Sequence, residues 1–145
     1  MTKDEIELIL KSLLDKEDIE YNPPSINDWR ELERKFSCVI GEDFKLFIDL
    51  MSKYSFPGDI LNVSTGLTNS NDTISFTYDF EMNQGGKWKP EMIPFYSIGN
   101  GDYFCLNSIE SPDSPVYYYY HEDFYFEEYT ENFALWIKAL PEFLS

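Results

Sequence analysis

The sequence predicts a single α+β domain spanning residues 1–145, in which N-terminal helices and a C-terminal helix pack on a mainly antiparallel sheet. Apolar residues recur at helical spacing up to about residue 53, and short apolar runs between turn formers follow from about Pro57. Helical spacing then returns near the C-terminus. With 145 residues, 43% of them hydrophobic, the chain is long enough for one domain with its own core.

Three helices are predicted in the N-terminal part, each with apolar residues three and four positions apart. Thr2 and Glu5 can form a capping box for the first helix, and Ser25 can cap the second after Pro23-Pro24 interrupts the chain. The third follows a turn at Gly41. The apolar stripes are Ile6, Ile9, Leu10, Leu13 and Leu14 in the first helix, Trp29, Leu32 and Phe36 in the second, and Phe44, Phe47, Ile48 and Met51 in the third.

Strands are predicted at residues 59–63, 92–98, 103–106, 115–121 and 124–129. The second and third of these flank Gly99-Asn100-Gly101-Asp102, and the Asn-Gly pair predicts a hairpin with a type I′ turn. Such a turn needs these residue types for backbone reasons, so we interpret the four residues as a structural motif. The closing helix is predicted to be capped near Thr130, with the stripe Phe133, Trp136, Ile137 and Leu140, and to end or bend at Pro141.

Residues 72–83 are ambiguous. Ile74, Phe76, Tyr78, Phe80 and Met82 alternate with polar residues, and this pattern by itself favours a strand.

The charge of the chain excludes one class of partner and favours another. The formal net charge is −16, which leaves no basic footprint for phosphate, so we expect no nucleic-acid binding. Residues 1–53 hold 13 acidic and 8 basic side chains, whereas residues 54–145 hold 14 and 3. Such a field accelerates encounter with a basic partner. On charge alone, acidity that serves only solubility is an equal alternative.

The N-terminus and the cysteines indicate the compartment. Carboxylates stand near the N-terminus where a signal peptide would place positive charge, and no apolar run is long enough to span a membrane. We therefore expect a cytoplasmic protein that does not enter membranes. Cys38 and Cys105 are expected to be two separate thiols rather than a disulfide.

Several segments, taken as an ordered set, resemble the SUKH superfamily. They are the run from Ile93 to Leu106 with its Gly-Asn-Gly-Asp turn, the run Ser114–Tyr119 leading to His121-Glu122, and the C-terminal Phe133-Ala134-Leu135-Trp136-Ile137. The segment from Leu32 to Phe47 fits the N-terminal helices, so the resemblance covers nearly the whole chain. One departure is Ile40-Gly41, where members commonly carry Leu-Pro. In relatives the segment equivalent to residues 72–83 is often helical, which makes the helix the favoured alternative there.

The superfamily includes fungal cell-wall regulators of the Smi/Knr type and bacterial immunity proteins encoded beside polymorphic toxins, which are frequently nucleases. The resemblance therefore implies a binding fold without catalysis. The residues agree with this expectation, because His121 and Cys105 lack an identifiable orienting group and oxyanion site. The carboxylates show no metal-ligand spacing, so we predict neither a metal site nor a cofactor.

The stretch from residue 113 to 131 is rich in carboxylates and aromatic rings and contains no lysine or arginine. Rings provide rigid contact area, and carboxylates pair with basic side chains of a partner. We predict that the chain is an immunity protein that covers the active site of a basic toxin; a regulatory or scaffold domain of the fungal type is the alternative. A monomer is expected, with a dimer as the alternative. The predicted partner-binding residues are Asp72, Asp79, Glu81, Asp113, Tyr119, Glu122, Asp123, Tyr125, Glu127, Glu128 and Glu131.

Overall fold

The computed structural model describes residues 1–16, 22–54, 59–64 and 72–145. In these ranges it has five helices and a five-stranded antiparallel sheet in the order β1-β2-β3-β4-β5. The elements in chain order are α1 (Lys3–Leu13), α2 (Ile26–Phe36), α3 (Glu42–Met51), β1 (Asp59–Ile60), α4 (Ile74–Met82), β2 (Met92–Ser97), β3 (Tyr103–Asn107), β4 (Val116–Tyr120), β5 (Tyr125–Thr130) and α5 (Phe133–Phe143). The predicted α+β class is confirmed.

The first two helices begin where the sequence places their caps. The Thr2 hydroxyl accepts a hydrogen bond from the Glu5 backbone N–H, and the Glu5 carboxylate accepts one from the Thr2 N–H. Ser25 and Asp28 form the same reciprocal box at the start of α2. Each box satisfies backbone donors that the first turn of a helix leaves free.

The third helix begins at Glu42 with Gly41 as its N-cap. A Cβ atom at position 41 would lie 2.5 Å from the backbone oxygen of Pro112, in the loop between β3 and β4. That distance is too short for any side chain. The departure from the Leu-Pro of relatives therefore has a steric reason, since a proline here could not pack against this loop.

The two faces of the sheet carry two separate apolar clusters. On one face, α1, α3 and α5 enclose a large cluster whose most buried rings are Phe47, Phe95, Phe104 and Trp136. These rings meet mainly edge to face, with the Phe95 and Trp136 centroids 5.1 Å apart. On the other face, a smaller cluster contains Trp88, Met92, Cys105, Tyr119 and Phe126.

The ambiguous segment 72–83 contains a helix, α4 (Ile74–Met82), as the resemblance favours. Thr73 caps α4 by accepting a hydrogen bond from the backbone N–H of Phe76. Ile74 is fully buried in the large cluster, and Tyr78 packs edge to face on Phe36 with centroids 4.8 Å apart. The alternation of apolar and polar residues suggests a strand with one buried face. In the helix, however, Phe76 and Phe80 lie on the exposed side.

The turn between β2 and β3 differs from the predicted type I′ turn. Gly99 and Gly101 have positive φ values of 103° and 102°, whereas Asn100 does not have positive φ. The Asn100 Oδ1 atom instead accepts a hydrogen bond of 3.0 Å from the Asp102 backbone N–H. The connection is therefore longer, with Ser97 ending one strand and Tyr103 beginning the next.

Two further boundaries are corrected. The first strand covers only residues 59–60, although the Leu61 N–H still donates to the Phe95 carbonyl. The last helix is capped by Asn132 and continues beyond Pro141 to Phe143. Pro141 lies in the last turn, where the proline ring removes a single backbone donor and the Leu144 N–H still reaches the Leu140 carbonyl. Both cysteines are free thiols, as predicted.

Candidate functional site

The predicted carboxylates of the β4–β5 hairpin are all exposed. None of them has an ion pair within the described part of the chain. We refer to them as the hairpin acids: Asp113, Glu122, Asp123, Glu127, Glu128 and Glu131. Two basic side chains, Lys87 and Lys89, lie over the Phe124 and Phe126 rings of this hairpin and form no ion pair with the hairpin acids.

The hairpin acids follow the whole length of the edge hairpin. Asp113 and Glu131 lie at one end, and Glu122 and Asp123 lie in the turn at the other, about 15 Å away by the rise of a five-residue strand. Glu127 pairs in register with Tyr118 and Glu128 with Tyr117, so these two acids point to opposite faces of the sheet. The hairpin acids form a strip around the sheet edge rather than one flat patch.

The three predicted acids on and near α4 have different environments. Asp72 is exposed, whereas Asp79 forms an ion pair of 2.9 Å with Lys35 on α2. Glu81 is half-buried and accepts a hydrogen bond of 3.2 Å from the Tyr103 hydroxyl. Burial raises the pKa of Glu81. Asp79 and Glu81 are thus partly engaged within the protein, and Asp72 is not.

The two tyrosines predicted to bind a partner differ in exposure. Tyr125 is 55% exposed and stacks beside Tyr120 with ring centroids 6.3 Å apart. Tyr119 is only 3% exposed, because its ring lies between Trp88 and Phe126 in the smaller cluster. Tyr119 is therefore covered by Trp88 and is not presented at the surface, and its contact with a partner stays a prediction.

Asp102 joins the two turns at one end of the sheet. It is 8% exposed and accepts three hydrogen bonds: 2.9 Å from the His121 backbone N–H, 2.6 Å from His121 Nδ1 and 2.7 Å from the Tyr118 hydroxyl. Burial acts to raise the pKa of Asp102, but these hydrogen bonds outweigh it and the net pKa is lowered. The hydrogen bond between the Asp102 carboxylate and His121 Nδ1 raises the pKa of His121. The structural role predicted for the Gly99–Asp102 motif fits this geometry.

Gly101 lies directly against the His121 ring. A Cβ atom at position 101 would be 2.9 Å from His121 Cγ, whereas one at Gly99 would meet nothing within 4 Å. The glycine thus allows the β2–β3 turn to contact the β4–β5 turn. The Tyr103 hydroxyl at the start of β3 donates a hydrogen bond to Glu81, so the end of α4 lies at the same end of the sheet as the two turns.

We define the turn-end face as the surface where α4, the start of β3 and the β4–β5 turn come together. It comprises Asp72, Phe76, Phe80, Glu81, Tyr103, His121, Glu122 and Asp123. The sequence reasoning identified its acids but missed the two phenylalanines, which are 62% and 53% exposed. The four-residue spacing of Phe76 and Phe80 was the available signal, but it has meaning only once the segment is known to be a helix.

The structure does not bring Cys105 and His121 together as a nucleophile and its base, although Asp102 lies 2.6 Å from His121 Nδ1. Cys105 is fully buried, and burial raises the pKa of its thiol well above the ordinary value. Cys105 pairs with Tyr117, four strand positions before His121, or about 13 Å along the strand. In the described ranges no three His, Cys, Asp or Glu side chains converge as metal ligands.

Comparison with known families identifies the chain. The family model SUKH_5, described as SMI1-KNR4 cell-wall, matches residues 4–143. The chain belongs to the SUKH family. This membership extends over nearly the whole sequence, as the resemblance of the turn, strand and helix motifs implies, and it agrees with the five helices and five strands of the described residues.

A solved structure shares the fold of this SUKH chain. The crystal structure of a protein from Pseudomonas syringae pv. tomato aligns with a TM-score of 0.65 at 16% sequence identity, covering 94% of this chain and 95% of that one. At this identity the similarity concerns the fold alone. No curated protein matches the sequence. Among the helices that the structure describes, none has the length and apolar character needed to cross a membrane.

Proposed function

We propose that this SUKH protein is an immunity protein that binds a cognate toxin and neutralises it by covering its active site or substrate groove. The observation that carries the proposal is the unpaired charge of the exposed hairpin acids beside exposed rings such as Tyr120, Phe124 and Tyr125. SUKH proteins are generally non-catalytic immunity or regulatory proteins. The surface therefore acts by binding and not by chemistry.

Electrostatics favours a cationic protein as the partner. A net charge of −16 repels nucleic acid and attracts a basic surface, so that encounter can approach about 10⁸ M⁻¹s⁻¹ at low salt. The substrate groove of a nuclease is basic because it binds phosphate, and an acidic protein complements such a groove. Neutralising a toxin at low concentration requires about −12 kcal/mol of binding free energy or more.

The state and location of the protein follow from this role. The protein acts in the cytoplasm as a monomer, where it meets the toxin before the toxin reaches its substrate. It binds no nucleic acid and does not enter a membrane, and it needs neither metal nor cofactor. Its partner is the toxin domain encoded beside it.

A rescue experiment with matched charge reversals tests the proposal. Cells that express the toxin domain of the neighbouring gene are supplied with wild-type protein or with the hairpin variant E122K/D123K/E127K/E128K. The control variant D15K/E31K/D59K/E142K changes the net charge by the same amount at four exposed acids outside the hairpin. We expect the wild type and the control to protect, and the hairpin variant to fail.

Two results of this experiment would contradict the proposal. Circular dichroism and thermal unfolding first establish that the hairpin variant is folded, which its exposed positions favour. Full protection by this folded variant would contradict the proposed surface. Lack of protection by the wild type would contradict the immunity role itself.

A regulatory or scaffold protein of the fungal type is the second candidate, because the matching family model is described by its relation to the cell wall. Such a protein binds housekeeping partners and has no toxin gene beside it. Gene neighbourhood and co-purification with the product of the adjacent gene separate the two candidates.

A further inference from the structure

Helix α4 exposes two phenylalanines that the fold does not use. Ile74 and Thr77 are buried on the inner side of the helix, at 0% and 6% exposure. Phe76 and Phe80 lie one turn apart on the outer side, at 62% and 53% exposure. Neither ring belongs to the two apolar clusters of the described residues, and adjacent exposed apolar surface of this kind is typical of a site that a partner covers.

A shallow pocket of about 240 Å³ lies between these rings. It is lined by Asp72, Phe76, Thr77, Phe80 and Tyr103. None of the lining residues is basic, and Lys35 lies with Asp79 and over the Tyr78 ring instead. The pocket is therefore apolar at its rings and negative at Asp72, a combination that accepts an apolar side chain with a cation beside it.

A second pocket of about 260 Å³ lies between the β2–β3 turn and the β4–β5 turn. It is lined by polar and acidic groups: Asn100, Asp102, Tyr120, His121, Glu122 and Asp123. The two pockets lie at the same end of the sheet, because Asp102 lies in the β2–β3 turn and Tyr103 is the first residue of β3. Glu122 and Asp123 have no ion pair among the described residues, so a guanidinium or ammonium group can pair with them there.

We propose that the turn-end face is the primary docking point for the partner, with Phe76 and Phe80 as its apolar anchors. The occupant is a segment of a cationic protein that places an aliphatic or aromatic side chain in the α4 pocket and a lysine or arginine in the acidic pocket at the same end of the sheet. This inference rests on the proposed function and specifies which part of the acidic surface carries the affinity. The remaining hairpin acids act on the rate of approach.

A pair of matched truncations tests the anchors. The F76A/F80A variant removes both rings, and the control variant L8A/I109A removes two exposed apolar side chains, at 71% and 79% exposure, from α1 and the β3–β4 loop. Affinity for the toxin domain of the neighbouring gene is measured by calorimetry and surface plasmon resonance. We expect F76A/F80A to bind about 30-fold more weakly or worse, mainly through faster dissociation, and the control to change by less than about threefold.

An affinity of F76A/F80A within about threefold of the wild type would overturn the inference while leaving the immunity role intact. A wild type that does not bind the toxin domain would instead contradict the proposed function. In that event the site is tested with a peptide of three Lys-Leu-Arg-Leu repeats, compared with the same peptide carrying serine for leucine.

Backbone NMR resonances report where the peptide binds. We expect the leucine peptide to shift residues 76–81, Tyr103 and residues 121–123, and to bind at least about fivefold more tightly than the serine peptide. Equal binding of the two peptides, or shifts confined to the other end of the hairpin around Asp113 and Glu131, would overturn the inference.

Discussion

Replacing Asp102 with alanine should separate the two turns at one end of the sheet. The change removes the acceptor of three hydrogen bonds, from the His121 backbone N–H, His121 Nδ1 and the Tyr118 hydroxyl, at 2.6 to 2.9 Å. Each such bond contributes about 0.5–1.5 kcal/mol net. The His121 ring is 40% exposed and can bind water instead, so we expect a loss of about 2–3 kcal/mol in the free energy of unfolding.

Urea unfolding monitored by tryptophan fluorescence measures this loss. With a slope of about 2 kcal/mol/M, the midpoint should fall by about 1–1.5 M. The Tyr118→Phe variant removes one of the three bonds and should lose about 1 kcal/mol. A midpoint for D102A within about 0.2 M of the wild type would refute the role assigned to Asp102.

The penalty should also depend on pH. The pKa of His121 is raised above 6.5 in the folded state, so its contribution is fully present below pH 6.5 and is lost as the pH rises through the raised value. The pKa of Asp102 is lowered from 3.8, so its contribution is present above pH 3.8 and is lost as the pH falls through the lowered value. The D102A penalty is therefore largest between pH 3.8 and 6.5. A penalty that increases towards pH 9 would contradict the pairing.

Other predictions concern packing and access. Gly101→Ala should destabilise the protein by about 2 kcal/mol more than Gly99→Ala in urea unfolding, because both have positive φ but only the former places a Cβ against the His121 ring; equal losses would contradict that contact. Trp136→Ala should lower the free energy of unfolding by about 3–5 kcal/mol, since this ring is 1% exposed among Phe47, Phe95 and Phe104; a loss below about 1 kcal/mol would contradict its central position. In native protein a thiol reagent should modify half-buried Cys38 before fully buried Cys105, as peptide mapping would show, and the reverse order would refute the assigned burial.

The sequence pattern predicted helices α1, α2, α3 and α5 and the positions of five strands along the chain, because the signals for these elements lie in neighbouring residues. The caps at Thr2 and Ser25 and the stripes that follow them are properties of neighbouring residues. Alternation could not show that the segment with Phe76 and Phe80 is a helix. Its apolar residues recur at every second position, but in α4 some of them lie on the buried side and others on the exposed side. The resemblance to the SUKH family supplied the helix that periodicity did not.

The surface was harder to predict than the fold, since exposure depends on contacts between distant segments. Strand alternation places Tyr119 and Tyr117 on one face of β4, but it does not show that Trp88 covers Tyr119. Composition likewise located the hairpin acids without showing that Glu127 and Glu128 point to opposite faces. The register and the packing of α4 determine which acids share a surface with the exposed phenylalanines.

The salt dependence of association tests most directly whether this protein binds a cationic partner through its acidic surface. Stopped-flow measurements with the toxin domain of the neighbouring gene would compare the wild type with E122K/D123K/E127K/E128K as salt is raised from low to high ionic strength. We expect the wild-type association rate to fall by about tenfold or more, and the variant to associate slowly at every salt concentration. A wild-type rate that does not change with salt, or that the four reversals leave unchanged, would contradict binding through the acidic surface.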